Sequence, residues 1–115
     1  MLRRKKVNMR ESWVSPARLE KMIDEAVVDC HDEAEQALGL FTMIEENLSM
    51  PFTTTVLGVQ VTVKTVQQNE AGEVVAVCTR GRERQNIPLV DLPLPSPRPH
   101  GSEWIEAYRR WARGR

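Results

Sequence analysis

The stretch ENLSMPFTTTVLGVQVTVKTV, residues 46–66, holds the point at which the chain changes its period. Before Pro51, apolar residues recur three and four apart; after Phe52 they alternate. Proline has no N–H to give a helix and clashes with the preceding turn, so Pro51 forbids a helix to run on. Beyond it Val59, Val61 and Val63 alternate with Gln60, Thr62 and Lys64. That is the pattern of a half-buried β-strand, with Gly58 as a bulge or kink. A chain helical on one side of this point and β on the other is predicted to be α+β.

Working back towards the N-terminus, WVSPARLEKM (13–22) reads as a helix start. Ser15 suits the N-cap and Pro16 the first helical position, where its missing N–H costs nothing. Val14 can staple onto Leu19 across that cap. Leu19, Ile23, Ala26, Val27, Cys30, Ala34, Ala37, Phe41, Ile44 and Leu48 then fall on one helical stripe. A single straight helix over this span would be roughly 45–50 Å long at about 1.5 Å per residue. That is too long for so small a protein, so residues 15–50 are predicted to form a bent helix or two helices. The break is placed near Asp29–Asp32, where Asp32 and Glu35 have the spacing of an N-cap with its capping box. Gly39 is the other candidate.

Working forward, QQNEAGE (67–73) is a turn. EVVAVCTR (73–80) is apolar on both parities and reads as a central strand covered on both faces. QNIPLVDL (85–92) gives a further strand, placed at an edge by Pro88. Short strands joined by tight turns over 52–92 predict a small antiparallel meander curled into an SH3-like β-barrel beside the helices. PLPSPRP then makes residues 93–100 a stiff, Pro-rich connector. A C-terminal helix over 102–113, capped by Ser102, sets Trp104, Tyr108 and Trp111 on one aromatic stripe that closes the core. The organisation expected is a flexible basic tail at 1–11 and a single domain over 12–115.

Composition narrows the function classes. Hydrophobic residues make up 41%, aromatics 5% and charged residues 28%, so the core is mainly aliphatic and the chain is of globular type. The net charge is zero, yet residues 11–50 hold ten acids against Arg18 and Lys21, between basic ends. No apolar run reaches the roughly 20 residues that cross a bilayer. No apolar segment follows the basic start, which argues against a signal peptide and for the cytoplasm. Cys30 and Cys78 fit core thiols better than a disulfide. No nucleophile, base or Gly-rich phosphate loop forms a recognisable set, so no enzymatic activity is expected. Cys30 and His31 are adjacent, point about 100° apart on a helix, and cannot readily share a zinc ion.

Carboxylates remain. On a helical wheel Asp29, Asp32 and Glu33 fall at i, i+3 and i+4, extended by Glu25 and Gln36. Three hard oxygen donors on one face suit a cation such as Ca²⁺. Glu45 and Glu46 form a second acidic pair, and Asn69 and Glu70 could donate from a turn. The same acids also suit the solvated face and N-terminus of an ordinary surface helix. Both readings are open on residue pattern alone.

Four pieces in order, DCHDEAEQALG (29–39), EENLSMPF (45–52), IPLVDL (87–92) and WIEAYRRW (104–111), carry a resemblance. They resemble the small bacterial and cyanobacterial calcium-binding proteins grouped around the one linked to heterocyst differentiation. The likeness spans roughly Val27 to Arg113. It implies an α+β protein with a small barrel-like sheet, no enzymatic activity, and Ca²⁺ held by surface carboxylates. Asp29, Asp32, Glu33 and Glu35 match the helix motif, and Glu46 is a further candidate ligand. The function expected is Ca²⁺ buffering or sensing. The alternative is a protein-interaction module of the same fold without the ion. Contact with nucleic acid through the basic ends is the weaker third reading.

Overall fold

The computed structural model of the chain describes residues 13–114. The expected basic tail, residues 1–11, lies outside the described residues. The helical half is two helices, α1 (Pro16–Ala26) and α2 (Glu33–Asn47). Ser15 caps α1, its Oγ accepting from the Arg18 N–H at 3.2 Å. Val14 and Leu19 are both buried in the core, as the staple requires.

The break falls where Asp32 predicts it. Asp32 is the extended N-cap of α2, and its Oδ1 accepts from the Glu35 N–H at 2.8 Å. Glu35 reaches back, its Oε1 accepting from the His31 N–H at 2.5 Å. The Asp32 arm of the capping box is therefore made, whereas Glu35 takes the N–H of His31, one residue before the cap, in place of the Asp32 N–H. Asp29 sits at φ 66°, a left-handed backbone that turns the chain between the helices. The single apolar stripe does not survive this break: Ala34 is exposed, and Ala37, Leu40 and Ile44 are the buried residues of α2. Gly39 does not break the helix. A Cβ there would lie 2.3 Å from the Ala26 carbonyl oxygen, so glycine lets the end of α1 rest directly on α2.

The β half is a four-stranded antiparallel sheet of β1 (Phe52–Val56), β2 (Val59–Gln68), β3 (Val74–Arg80) and β4 (Glu83–Pro88), in the order β1-β2-β3-β4. The meander is as expected, but the sheet is open and the barrel closure is not formed. Its core face is covered by helices and by the segment after β4 instead of by its own curl. The reading of 53–66 as one strand is also corrected. Leu57 and Gly58 both have positive φ, 50° and 79°, and reverse the chain into a hairpin. The irregularity in the ladder lies between Val63 and Thr65, not at Gly58.

Central β3 is buried over five successive residues, Val74 to Cys78. Val74, Ala76 and Cys78 join the core, whereas Val75 and Val77 face the other side beside Gln67, Pro88, Thr65 and Asn86. Pro88 ends edge strand β4, and a 3-10 turn, Leu89–Asp91, drops Leu89 and Leu92 into the core. Residues 93–100 cross back over the sheet, with Thr54 Oγ1 donating to the Pro93 carbonyl at 2.7 Å.

Helix α3 (Glu103–Gly114) closes the fold. Ser102 does not cap it as expected; its hydroxyl donates to the Pro99 carbonyl at 2.6 Å. Trp104 and Tyr108 are buried and Trp111 is half-buried, so the aromatic stripe does close the core. Arg109 ties α3 to the chain after β4, its guanidinium donating to the carbonyls of Leu89 and Leu92 and pairing with Glu106. Burial lowers the Arg109 pKa, and Glu106 partly restores it.

Candidate metal centre

The candidate carboxylates are placed by the short link between α1 and α2. Asp29 and Asp32 lie in that link and not in a helix, so the helical-wheel face predicted for Asp29, Asp32 and Glu33 does not exist. A left-handed φ at Asp29 and an extended Asp32 (φ −140°, ψ 175°) break the helical spacing. All four acids of the segment, Asp29, Asp32, Glu33 and Glu35, are exposed. Asp32 and Glu35 each commit one oxygen to a backbone N–H at the start of α2, Asp32 to that of Glu35 and Glu35 to that of His31, which leaves each a second oxygen.

Glu46 stands apart. It is thirteen residues beyond Glu33 on α2, about 20 Å along the helix axis at about 1.5 Å per residue. One ion cannot be shared across that distance. Among the described residues, no three or more His, Cys, Asp or Glu side chains are gathered closely enough to hold a metal ion. The five candidates are thus not drawn into one cluster.

The structure does bring a different acid to this region. Glu33 lies between two adjoining clefts. One, of about 530 Å³, is lined by Glu20, Ile23, His31, Asp32, Glu33 and Gln36, with Arg110 and Trp111 from α3. The one arginine that lines it among the described residues is paired, Arg110 Nε to Glu20 Oε2 at 2.6 Å. Gln36 accepts from the Trp111 indole N–H at 2.9 Å, which pins the start of α2 to α3.

The other cleft, of about 370 Å³, is lined by Glu33 and Glu73 with Gln68, Gly72, Tyr108 and Trp111, and among the described residues no basic side chain lines it. Glu73 comes from the β2–β3 turn. Asn69 orders that turn: its Oδ1 accepts from the Ala71 and Glu73 N–H groups, and its Nδ2 donates to Glu73 Oε1 at 3.0 Å. The sequence marks 67–73 as a turn carrying Glu70 and Glu73, but sequence alone does not place Glu73 beside Glu33, forty residues away. Hard carboxylate oxygens and backbone carbonyls are the donors calcium prefers, so the donor chemistry fits that ion. The geometry holds them apart.

Comparison with known proteins bears on which ion. Residues 20–112 match the model of a protein family described as calcium binding, that of CcbP. The structure of Anabaena CcbP superposes with a TM-score of 0.65 at 18% identity, covering 88% of this chain and 94% of that one. A calcium binding protein in its calcium-binding form gives a TM-score of 0.62 at 19% identity, covering 84% of this chain and 91% of that one. At such identities the likeness is one of fold. No curated protein matches the sequence significantly.

Proposed function

This chain belongs to the CcbP family of calcium-binding proteins, and from that premise we propose that it binds Ca²⁺ and catalyses no reaction. The family match carries the reading, because it runs through residues 20–112 and so includes both the α1–α2 link and the β2–β3 turn. Asp29, Asp32, Glu33 and Glu35 would hold the ion, with Glu73 reaching it across the cleft it lines with Glu33. A bound Ca²⁺ supplies positive charge that offsets repulsion among clustered carboxylates, and the folded state gains stability by mass action.

These carboxylates start apart, so binding has to assemble them. Asp29 and Asp32 sit in the link that sets one helix against the other, so their capture would fix the relation of α1 to α2. Coupling of that kind suits a sensor better than a buffer, whose sites change shape little. Glu46 would take no part at this ion.

Calorimetric titration with Ca²⁺ and thermal unfolding with and without millimolar Ca²⁺ test the reading together. Expected are a saturable heat and a raised midpoint, both lost in a variant carrying Asp29→Asn, Asp32→Ser and Glu33→Gln, and both kept in Glu46→Gln. The absence of both heat and shift in the unaltered chain would sink the proposal.

A further inference from the structure

The core face of the sheet continues past the helices and, among the described residues, nothing covers it at one end. Both top hairpins meet there, the Leu57–Gly58 turn between β1 and β2 and the Gly81–Arg82 turn between β3 and β4. Val56, Leu57, Val59, Val61 and Ile87 line a groove of about 690 Å³, with Arg80 and Arg84 on its rim. Val63 pairs with Cys78 inside the core, and Val61 stands two residues along β2 on the same face. The groove is therefore the unfinished end of the core face.

Leu57 sharpens the case. It is 98% exposed, so it adds nothing to the core. It also holds φ 50° at the first position of a two-residue turn, where asparagine or glycine is favoured and leucine is not. Folding alone therefore gives no reason for leucine here. Local rules broken without a gain in stability are expected at functional positions.

The rim is electrostatically unfinished as well. Arg80, Arg82 and Arg84 are exposed around a single acid, Glu83. Among the described residues none of the three arginines makes an ion pair or a side-chain hydrogen bond. The surface is thus an aliphatic groove with a positive border.

We propose that this groove docks an extended segment of another protein, one in which apolar anchors alternate with acidic side chains. A concave aliphatic wall takes up side chains, which a flat bilayer face cannot supply. No aromatic ring lines it, so nucleic-acid bases have nothing to stack on. The first ten residues of the sequence carry five basic side chains and no acid, so they lack the negative charge that would complement this rim. Strand β1 borders the groove and, among the described residues, is an edge of the sheet, so it offers backbone groups to an added strand, the usual way an extended peptide gains affinity. This surface is separate from the carboxylates of the α1–α2 link, and the proposal stands whether or not calcium binds.

The test is a methyl-detected NMR titration of the full chain with a synthetic nonapeptide of alternating leucine and glutamate. Its controls are the same peptide with lysine for glutamate, the same with serine for leucine, and phosphatidylserine vesicles. Expected are saturable shifts confined to Val56, Leu57, Val59, Val61 and Ile87 with the acidic peptide alone. Leu57→Asn, which suits the turn better and so preserves the fold, should weaken binding about tenfold through the lost apolar burial. Arg80→Glu with Arg84→Glu should weaken it at least as much. No shift at millimolar acidic peptide overturns the proposal. So does equal binding of the lysine peptide, indifference to both variants, or engagement of the vesicles alone.

Discussion

The Tyr108 hydroxyl accepts the backbone N–H of Val74 at 3.1 Å, joining the middle of α3 to the first residue of the central strand. Both residues are buried, Val74 at 1% and Tyr108 at 4% exposure, so water cannot replace this partner. Tyr108→Phe keeps the ring and removes the acceptor, leaving a buried N–H unsatisfied. A loss of about 1–3 kcal/mol is expected, read as a lower urea midpoint with an unchanged slope.

Gly39 tests whether propensity or packing decides the middle of α2. On propensity, Gly39→Ala should stabilise an α-helix by about 1 kcal/mol. The new Cβ would stand 2.3 Å from the Ala26 carbonyl oxygen, and that oxygen belongs to backbone and cannot swing aside. Separating α1 from α2 should cost about 1–3 kcal/mol, the usual range for overpacking. Net destabilisation in urea is the expected sign, and a stabilised Gly39→Ala would show that the helices have room to part.

The two thiols should differ in reactivity. Both are free; Cys78 is buried at 3% exposure and Cys30 is half-buried beside Gly39. Burial raises the Cys78 pKa, so near neutral pH less of it is the nucleophilic thiolate. Iodoacetamide should therefore label Cys30 first and reach Cys78 only as urea unfolds the chain. Equal labelling of the native protein would mean that the core face around Cys78 opens readily, and mass spectrometry of the digested protein separates the cases.

What the sequence showed follows from the range of each interaction. Asp32 and Glu35 are three apart and a cap is a local device, so the bond from the Glu35 N–H to Asp32 was readable in advance. Glu35 itself turned to the His31 N–H and not to the Asp32 N–H of a full capping box. The change of period at Pro51, the exposed-edge role of Pro88 and the two-sided burial of β3 are likewise written in neighbouring residues. Leu57–Gly58 escaped because leucine is a poor turn former, and the stretch scans as one strand through it. Barrel closure failed as an expectation because it depends on where the helices lie, and Val59 and Val61 alternate in the same way beneath a helix or beside a groove. The carboxylate face failed for a related reason: a helical wheel assumes one unbroken helix, and the capping box read from the same residues already ended it. The placing of Glu33 and Glu73 along one cleft needs the sheet and α2 in place, so no local pattern carries it.

Asp32 has two separable duties, and one substitution divides them. As N-cap it accepts from the Glu35 N–H, which a serine hydroxyl can also do. As a proposed calcium ligand it contributes negative charge, which serine lacks. Asp32→Ala removes both and should cost the metal-free protein about 1 kcal/mol, the usual value of a lost cap. Asp32→Ser should leave metal-free stability within about 0.5 kcal/mol of the original, since serine ranks beside aspartate as a cap. If the segment binds calcium, Asp32→Ser should nonetheless show a smaller rise in unfolding midpoint with Ca²⁺, because affinity follows the charge and number of ligands. A full calcium response in Asp32→Ser would remove Asp32 from the ligand set and leave it a cap alone. Thermal unfolding of the three proteins with Ca²⁺ and with chelator distinguishes the duties in one experiment.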